Sequence, residues 1–303
     1  MYRKKVAVLG VGSIGEFHAR EFNNSGCDVV AILTSSKESS IEKANKLKEL
    51  YGINAVPYWD IDDLLKNNNL DMISICTPSK SHSEYIKKCL NKNLNILCEK
   101  PFIYDSLDKN YKIAKELILS AEKDNKVLSV NTQLVSILEQ IPKNYLTGIK
   151  EFSMYMEPSI EGAINLVIEA IPHMNSFIIK LMGNQRIENL KFPLVKNDEV
   201  IIRFKYGRCN AEYHFSLKRE RPRKVKFKIN GVEFERKIGE NYSQTVEYDK
   251  NSIEIKDPLK VSIQQFIGAC NLSGEPLVTK SELLYNLKIQ DFIIHKLSKV
   301  IQR

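Results

Sequence analysis

The sequence predicts an α/β protein of two domains. The first is a parallel sheet covered by helices, and the second is an α+β domain with an open, mostly antiparallel or mixed sheet. The chain has 303 residues, about two domains by size. Its first 130 residues alternate continuously apolar runs with helical patterns, as buried parallel sheets do. From about residue 150 closely spaced, alternating strands prevail. We therefore predict domains 1–130 and 131–303.

The elements of the first domain alternate regularly along the chain. Apolar runs without strict alternation predict strands at 5–10, 28–34, 71–78, 94–99 and 126–130. Helical periodicity predicts helices at 13–26, 39–52, 81–93 and 106–125. Strands separated by helices of this length favour right-handed crossovers and therefore a parallel sheet.

The second domain has a different pattern. Alternation of apolar and polar residues predicts strands at 150–156, 199–207, 208–218, 224–229, 232–238 and 251–256. Helical patterns occupy 162–183, 258–272 and 280–301. Short links such as "YGRCN" and "KINGVEF" are typical of hairpins, which favours antiparallel pairing.

Composition excludes several classes of protein. The chain is 43% hydrophobic and 27% charged, enough apolar material to bury sizeable cores. No uncharged apolar stretch is long enough for a membrane span, and the N-terminus has no secretory signal pattern. Six scattered cysteines without a C-x-x-C pair favour reduced thiols in a cytoplasmic protein. We expect no metal site.

The net charge of +8 raises the question of an anionic partner. The densest basic run, "KRERPRKVKFK" at 218–228, alternates Lys226 and Lys228 with apolar residues, which predicts the polar face of a strand. No nucleic-acid-binding motif accompanies this run. We therefore expect a solvated lysine-rich surface and no nucleic-acid partner.

A glycine-rich turn follows the first predicted strand. "VLGVGSIG" contains Gly10, Gly12 and Gly15 in the spacing G-x-G-x-x-G and opens a helix. The first glycine allows a tight turn, the second lets the backbone approach a pyrophosphate, and the third allows close packing of helix and strand. Backbone N–H groups at the helix start, including those of Ser13 and Ile14, then face the anion. The turn therefore predicts dinucleotide binding.

The end of the second predicted strand bears on the choice between NAD(H) and NADP(H). NAD-binding proteins usually have an acidic residue here that binds the ribose 2′-hydroxyl. In "AILTSSKESS" Thr34 takes that position and is followed by Ser35, Ser36 and Lys37. Hydroxyls and an ammonium suit a 2′-phosphate, which a carboxylate would repel. We predict a preference for NADP(H), with NAD(H) as the alternative.

Three segments together resemble the glucose–fructose oxidoreductase/inositol dehydrogenase (Gfo/Idh/MocA) family. They are the glycine turn, "CTPSKSHSEY" at the end of the predicted strand 71–78, and "CEKPF" at the end of the predicted strand 94–99. The resemblance covers most of the first 135 residues and extends more thinly into 161–183. It implies a two-domain NAD(P)-dependent oxidoreductase for sugars, polyols and related carbonyls. It also implies a homo-oligomer, a dimer or tetramer, joined through the second-domain sheet.

The resemblance also implies particular site residues. Lys100 corresponds to the catalytic lysine of the E-K-P motif, and the Lys100–Pro101 bond is expected to be cis. The segments around the cofactor supply Thr77, Pro78, His82, Glu99, Lys100, Pro101 and Gln133. The positive charge of the Lys100 ammonium would polarise a substrate carbonyl. Glu99 is expected to support Lys100 or the cofactor.

In the second domain, Glu169 and His173 correspond to an acidic residue and a histidine that the family often has four positions apart. That spacing puts both on one helix face, with His173 the best general acid or base. Glu169 is expected to belong to the catalytic set, orienting His173 or binding a substrate hydroxyl. Pro172 leads us to expect Glu169 at the helix entry. The chain departs from the family at Ser176, which replaces an aspartate. Leu134 and Val135 replace two arginines, which argues against an acidic substrate held by those arginines.

Two other functions remain compatible with the sequence. An imine reductase could use the same fold, and a non-catalytic dinucleotide-sensing regulator could use the same first domain. The presence of both Lys100 and His173 argues against the regulator, which would need neither residue.

Overall fold

The computed structural model describes residues 3–106 and 109–302 and divides the chain into two compact units. The first unit comprises Met1–Asn131 and Leu259–Lys280. The second comprises Thr132–Pro258 and Ser281–Arg303. The chain thus returns to the first unit late, whereas the sequence-based division assigned all of 131–303 to the second domain.

The first unit is built on a parallel sheet. Its described strands are β1 (Lys5–Leu9), β2 (Asp28–Leu33), β3 (Val56–Tyr58), β4 (Met72–Ile75), β5 (Asn95–Glu99) and β6 (Leu128–Asn131). They lie in the order β3-β2-β1-β4-β5-β6. This is the doubly wound order of a Rossmann domain, so the predicted fold class is confirmed. The order reverses between β1 and β4, and ligands of such sheets bind at the carboxyl edge near that point.

The helices of the first unit match the predicted segments closely. They are α1 (Ser13–Asn24), α2 (Lys37–Tyr51), α3 (Ile61–Asn67), α4 (His82–Leu90) and α5 (Asn110–Lys123). The helix predicted from residue 106 starts at Asn110, and residues 107 and 108 lie outside the described residues. The sequence did not locate β3 or α3. The three residues of β3 include Pro57, which suits an edge strand and gives little pattern to read.

The second unit contains a larger, mixed sheet. Its described strands are β7 (Glu151–Met156), β8 (Ile187–Val195), β9 (Glu199–Tyr206), β10 (Cys209–Ser216), β11 (Val225–Ile229), β12 (Val232–Ile238), β13 (Gln244–Tyr248) and β14 (Asn251–Ile255). Their order is β14-β13-β12-β11-β7-β10-β9-β8. The pair β7–β10 is parallel and the other pairs are antiparallel. The prediction of a mostly antiparallel or mixed sheet is confirmed.

Two strands of this sheet, β8 and β13, were not predicted. β8 is an edge strand whose pairing with β9 shifts register twice, so its apolar residues do not keep a period of two. The remaining helices are α6 (Ala163–Met182) and α8 (Lys280–Ile301), which lie mainly in the second unit, and α7 (Pro258–Cys270), which lies mainly in the first. All three were predicted to within a few residues.

Packing explains why α7 belongs largely to the first unit. Leu259, Ile263 and Phe266 are buried in one cluster with residues of α1 and β1. Phe266 meets Phe22 edge to face, with ring centroids 6.2 Å apart. These apolar contacts hold α7 against α1, one of the helices that cover the parallel sheet.

The basic run at 218–228 is divided between a loop and a strand. Residues 217–224 precede β11, and three of their charges pair with acids: Lys218 with Glu157, Arg219 with Glu161, and Arg223 with Glu169, at 3.5, 2.8 and 3.8 Å. Lys226 and Lys228 lie on the polar face of β11, and both pair with Glu233 of β12. Much of this positive charge is therefore neutralised within the unit.

Among the described residues the six cysteines are free, and five are buried. None of the helices formed by the described residues has the length and apolar character that a membrane crossing requires.

Candidate active site

The glycine turn after β1 is closely packed at two of its three glycines. Gly10 has φ +86°, and its N–H donates to the Leu33 carbonyl at 2.8 Å. A Cβ on Gly10 would lie 2.7 Å from the backbone of Cys76 and Thr77. A Cβ on Gly15 would overlap the Gly10 carbonyl oxygen. The chain's own packing therefore requires glycine at both positions.

Gly12 is different, because a Cβ there would meet no protein atom within 4 Å. It is the N-cap residue of α1, with no side-chain hydrogen bond to the cap. The first N–H groups of a helix have no acceptor within the helix. The turn thus presents open space beside the backbone donors of Ser13 and Ile14. These features fit the pyrophosphate of a dinucleotide.

The segment after β2 shapes the start of α2. Thr34 donates its hydroxyl to the Ser36 carbonyl at 3.1 Å, and Ser36 Oγ accepts the Ser39 N–H at 3.2 Å. Glu38 bonds to its own backbone N–H and to the Ser36 hydroxyl, and both lower the pKa of Glu38. Ser36 is thus engaged in capping α2. The Lys37 ammonium lies 5.5 Å from the centroid of the Trp59 ring.

His82 links two loops at the carboxyl edge of the sheet. Its Nε2 lies 2.8 Å from the Thr77 carbonyl oxygen, and Nδ1 lies 3.0 and 3.1 Å from the carbonyl oxygens of Pro101 and Phe102. The His82 side chain is fully buried. It therefore connects the segment after β4 with the segment after β5. Ser81 donates to the Thr77 hydroxyl at 2.8 Å and so orders the segment that contains Pro78.

Glu99 ends β5 and lies in a buried hydrogen-bond network. Its Oε1 accepts from His18 Nε2 at 3.0 Å and from the amide of Asn131. His18 Nδ1 bonds Ser74 Oγ at 2.8 Å, and Ser262 Oγ donates to Asn131 Oδ1 at 2.7 Å. These five residues, called the His18–Glu99 network below, come from α1, β4, β5, β6 and α7.

Lys100 follows directly after Glu99. Its backbone N–H donates to Glu99 Oε2 at 3.3 Å, and its side chain is half-buried. The Lys100–Pro101 peptide bond is cis, as the resemblance implied. Lys100 therefore leaves the sheet beside a carboxylate that the network holds.

The charges of His18 and Glu99 stabilise each other. Burial alone would lower the pKa of His18, but Cys76 and the Glu99 carboxylate outweigh burial and raise this pKa to about 10. Burial likewise opposes ionisation of Glu99, yet His18, the charge of Lys100 and the Asn131 amide lower its pKa to about 2. At neutral pH the pair is an imidazolium and a carboxylate.

The sequence assigned no role to His18. One signal was present: Ile14, His18 and Phe22 follow one another at four-residue spacing, so a polar side chain lies in the apolar stripe of α1. That signal indicates burial, but it cannot name the partner, because Glu99 lies 81 positions further along the chain.

The His18–Glu99 pair predicts a specific pH dependence of stability. His18 has a folded pKa of about 10, raised from 6.5, so its stabilisation is complete below pH 6.5 and is lost as pH rises towards 10. Glu99 has a lowered pKa, so its contribution is lost as pH falls from 4.5 towards 2. Urea unfolding of wild type and His18→Gln should therefore differ by roughly 3 kcal/mol at neutral pH and converge by about pH 10. A constant difference across pH 6–10 would contradict this.

His173 and Glu169 lie on α6 in the second unit. Pro172 is inside this helix, so the expectation that Glu169 marks the helix entry is wrong. The helix continues through the proline because α6 is buried over most of its length, and packing outweighs the lost hydrogen bond. His173 is buried, with 7% of its surface exposed.

A buried polar cluster braces α6 around His173. Asn286 of α8 donates to the Pro172 carbonyl oxygen at 2.8 Å and to Ser176 Oγ at 3.0 Å. Thr132 Oγ1 lies 2.6 Å from Ser176 Oγ. Ser176, which replaces the aspartate of the family pattern, is therefore part of this bracing cluster.

The Glu169 carboxylate binds the loop that precedes α6. It accepts from the backbone N–H groups of Ser159 and Ile160 at 2.8 and 3.1 Å, and from the Ser159 hydroxyl at 3.1 Å. Arg223 adds an ion pair at 3.8 Å. Both carboxylate oxygens are thus engaged in ordering this loop.

The remaining sequence-predicted residues lie at the start of the second unit. Gln133 begins a short 3₁₀ segment, Gln133–Glu139, directly after β6. Leu134 and Val135 are 4% and 1% exposed. The residues that replace the family's arginines are thus core residues.

The structure thus gathers the glycine turn, Thr34–Lys37, Thr77–His82 and Glu99–Lys100 at one edge of the parallel sheet. Gln133, Glu169 and His173 belong to the second unit. The described residues contain no cluster of three or more side chains that could hold a metal ion.

The family model described as "Oxidoreductase family, NAD-binding Rossmann fold", Gfo/Idh/MocA, matches residues 4–132. An inositol 2-dehydrogenase of Salmonella typhimurium is 29% identical over 109 residues, which cover 34% of this chain and 30% of that protein. An uncharacterized oxidoreductase of Schizosaccharomyces pombe is 31% identical over 129 residues, covering 42% and 33%. The matches thus span about a third of the length of these relatives.

Solved structures resemble the chain over nearly its whole length. A UDP-N-acetylglucosamine 3-dehydrogenase from Acidithiobacillus ferrooxidans has a TM-score of 0.76 at 18% identity, with 97% of each chain covered. A myo-inositol 2-dehydrogenase from Lactobacillus plantarum has a TM-score of 0.75 at 18% identity, covering 100% of this chain and 98% of that one. At these identities the likeness establishes the two-domain fold.

Proposed function

We propose that this chain, which belongs through residues 4–132 to the Gfo/Idh/MocA family of NAD-binding oxidoreductases, is an NAD(P)-dependent dehydrogenase or reductase. Its substrate is a sugar, a polyol or a related small hydroxy or carbonyl compound. The relatives named as inositol 2-dehydrogenases support this substrate class.

The observation that carries the proposal is the position of Lys100. It follows β5 at the sheet edge that also holds the glycine turn, one residue after a carboxylate fixed by buried partners. Rossmann sheets bind dinucleotides at this edge. A lysine on the same sheet edge as the glycine turn, where Gly12 leaves open space, suits a reaction at a cofactor better than simple surface solvation.

The dinucleotide, when bound, supplies or accepts the hydride. Lys100 donates a hydrogen bond from Nζ to the substrate oxygen, and its charge stabilises the negative charge that develops there. His173 accepts the hydroxyl proton when an alcohol is oxidised and returns a proton to the substrate oxygen when a carbonyl is reduced, because an imidazole can exchange a proton near neutral pH. Glu169 supports His173 indirectly by ordering the loop before α6. The catalytic residues proposed are Lys100 and His173, with Glu169 supporting His173.

A spectrophotometric screen tests the proposal. Inositols, aldoses, sugar nucleotides and small oxo-acids would be offered with NADP(H) and NAD(H), following absorbance at 340 nm. Cyclic imines form a separate arm, which tests the alternative reductase. We expect turnover with at least one polyol or sugar. Dinucleotide binding without turnover in any arm would instead support the sensing regulator.

The proposal includes a preference for NADP(H). No carboxylate occupies position 34, and Ser35 and Lys37 flank the capping residue Ser36 at the amino end of α2. The positive end of the helix dipole and the Lys37 ammonium both favour a 2′-phosphate. The Trp59 ring, beside which the ammonium lies, limits the range of Lys37 side-chain positions.

Lys37→Ala tests this preference. We expect the dissociation constant for NADPH to rise roughly tenfold, because one charge-assisted contact to phosphate is lost, while that for NADH changes less than about twofold. Lys48→Ala, on the last turn of the same helix, is the matched control and should change neither constant. Fluorescence titration of the reduced dinucleotides measures both. Wild-type protein that binds NADH as tightly as NADPH would overturn the preference.

The proposal places the enzyme in the cytoplasm as a homo-oligomer that acts without nucleic acid. Free, mostly buried cysteines support a reducing compartment. Association through the eight-stranded sheet is expected from the family resemblance. Sedimentation at several protein concentrations would measure the oligomer, and a monomer at micromolar concentration would contradict this part of the proposal.

A further inference from the structure

The His18–Glu99 network is built from five separate elements of the first unit. His18 is completely buried, and Asn131 and Ser262 are 1% and 2% exposed. Glu99 Oε1 receives two donors, and Oε2 receives the Lys100 backbone N–H at 3.3 Å. The carboxylate is thus restrained on both oxygens. Of these donors, only Lys100 is adjacent to Glu99 in the sequence.

The stability of the fold alone does not explain such a pair. Removing two charges from water is costly, and well-packed apolar residues commonly stabilise a core equally well or better. A fully bonded buried pair instead fixes one geometry, because every alternative leaves a buried polar group unsatisfied. The geometry fixed here is that of the strand end preceding Lys100.

Lysine needs such support more than most catalytic side chains. Its ammonium is at the end of a flexible four-carbon stem, so the backbone from which the stem starts must be held in a fixed position. A displacement of about 1 Å at a reacting centre can cost roughly a hundredfold in rate. Glu99 Oε2 contacts the Lys100 backbone directly, and His18 holds Glu99 from the opposite oxygen.

We propose that His18 is a positioning residue for Lys100: by holding the Glu99 carboxylate against the Lys100 backbone N–H, it fixes where the Lys100 ammonium meets the substrate. Ser74 assists by bonding the second nitrogen of the His18 ring. The inference rests on the proposed function, in which Lys100 acts on the substrate oxygen.

The decisive test is a double-mutant cycle between His18→Gln and Lys100→Ala. His18→Gln should lower kcat roughly 10- to 100-fold, with the dissociation constant of the dinucleotide changed less than about threefold. In the Lys100→Ala background the same substitution should have little further effect, because its target is gone. Independent losses that multiply would overturn the inference, as would a wild-type kcat in His18→Gln.

A second variant and a matched control guard against misfolding. Ser74→Ala removes only the hydroxyl that bonds His18, and we expect a smaller drop in kcat, roughly three- to tenfold, again absent without Lys100. His214→Gln makes the same substitution in another His–Glu pair, His214–Glu199 at 2.8 Å in the second unit's sheet. It should leave kcat unchanged. A wild-type kcat in Ser74→Ala, or an equal loss in His214→Gln, would count against the inference.

A measurement without turnover separates this inference from the proposed function. Reductive methylation of Lys100, followed by peptide mass spectrometry, reports the surroundings of its ammonium. We expect the methylation rate to change at least about threefold in His18→Gln and not in His214→Gln. If wild type turns over no compound, the proposed function fails and this result still decides whether His18 positions Lys100. An unchanged rate would refute the positioning role.

Discussion

Replacing Lys100 by alanine is expected to lower kcat by roughly a thousandfold while the dissociation constant of the dinucleotide changes less than about threefold. The ammonium is assigned to the oxygen at which charge develops, so its loss affects the transition state more than the bound cofactor. The loss corresponds to about 4 kcal/mol of transition-state stabilisation. Steady-state kinetics and fluorescence titration measure the two quantities separately.

Lys92→Ala is the matched control for this prediction. Lys92 is exposed and precedes β5, whereas Lys100 follows it, so the two lysines flank opposite ends of one strand. We expect wild-type kinetics in Lys92→Ala. Full activity in Lys100→Ala would refute the catalytic role of Lys100. A loss of dinucleotide binding equal to the loss of kcat would instead make Lys100 a cofactor-binding residue.

The three glycines of the turn should respond to alanine in two distinct ways. Gly15→Ala and Gly10→Ala should each destabilise the protein by about 3 kcal/mol or more, since each new methyl group overlaps backbone atoms. Gly10 adds the cost of a positive φ. Gly12→Ala should change the free energy of unfolding by less than about 1 kcal/mol, because its Cβ enters open space. It should nonetheless weaken dinucleotide binding at least roughly thirtyfold.

Gly26→Ala separates backbone strain from steric overlap. Gly26 also has a positive φ, +84°, but a Cβ there would contact nothing within 4 Å. Gly26→Ala should lower the free energy of unfolding by about 1–2 kcal/mol, less than Gly10→Ala does. Urea unfolding measures stability and fluorescence titration measures binding.

A Gly12→Ala protein that binds the dinucleotide normally would show that the open space at Gly12 is not the pyrophosphate site.

Local patterns predicted most of the elements. Continuous apolar runs such as "KVAVL" identify buried parallel strands because both faces of such a strand are covered. The glycine spacing predicted the turn, and the resemblance carried by E-K-P predicted the cis bond before Pro101. Of the three missed strands, β3 and β8 are edge strands, which keep a weaker hydrophobic period, whereas β13 is a five-residue strand between β12 and β14.

Local patterns were less informative about partners. Glu169 and His173 are four residues apart, but the Glu169 carboxylate bonds Ser159 and Ile160 before the helix. Pro172 led us to expect the helix entry at Glu169, yet Pro172 lies inside the buried helix α6, where its carbonyl oxygen accepts a hydrogen bond from Asn286. Each outcome depends on a group at least nine residues away in the chain.

The sequence by itself determined the order of most elements, the dinucleotide turn and the position of Lys100 after β5, because these depend on local periodicity and on spacing within one segment. Only the tertiary structure decided what surrounds Lys100. His18, Ser74, Glu99, Asn131 and Ser262 are spread over more than 240 positions and meet only because the parallel sheet, α1 and α7 pack together. The physical reason is that burying a charge requires several polar partners at once, and a folded core can supply them from distant parts of the chain.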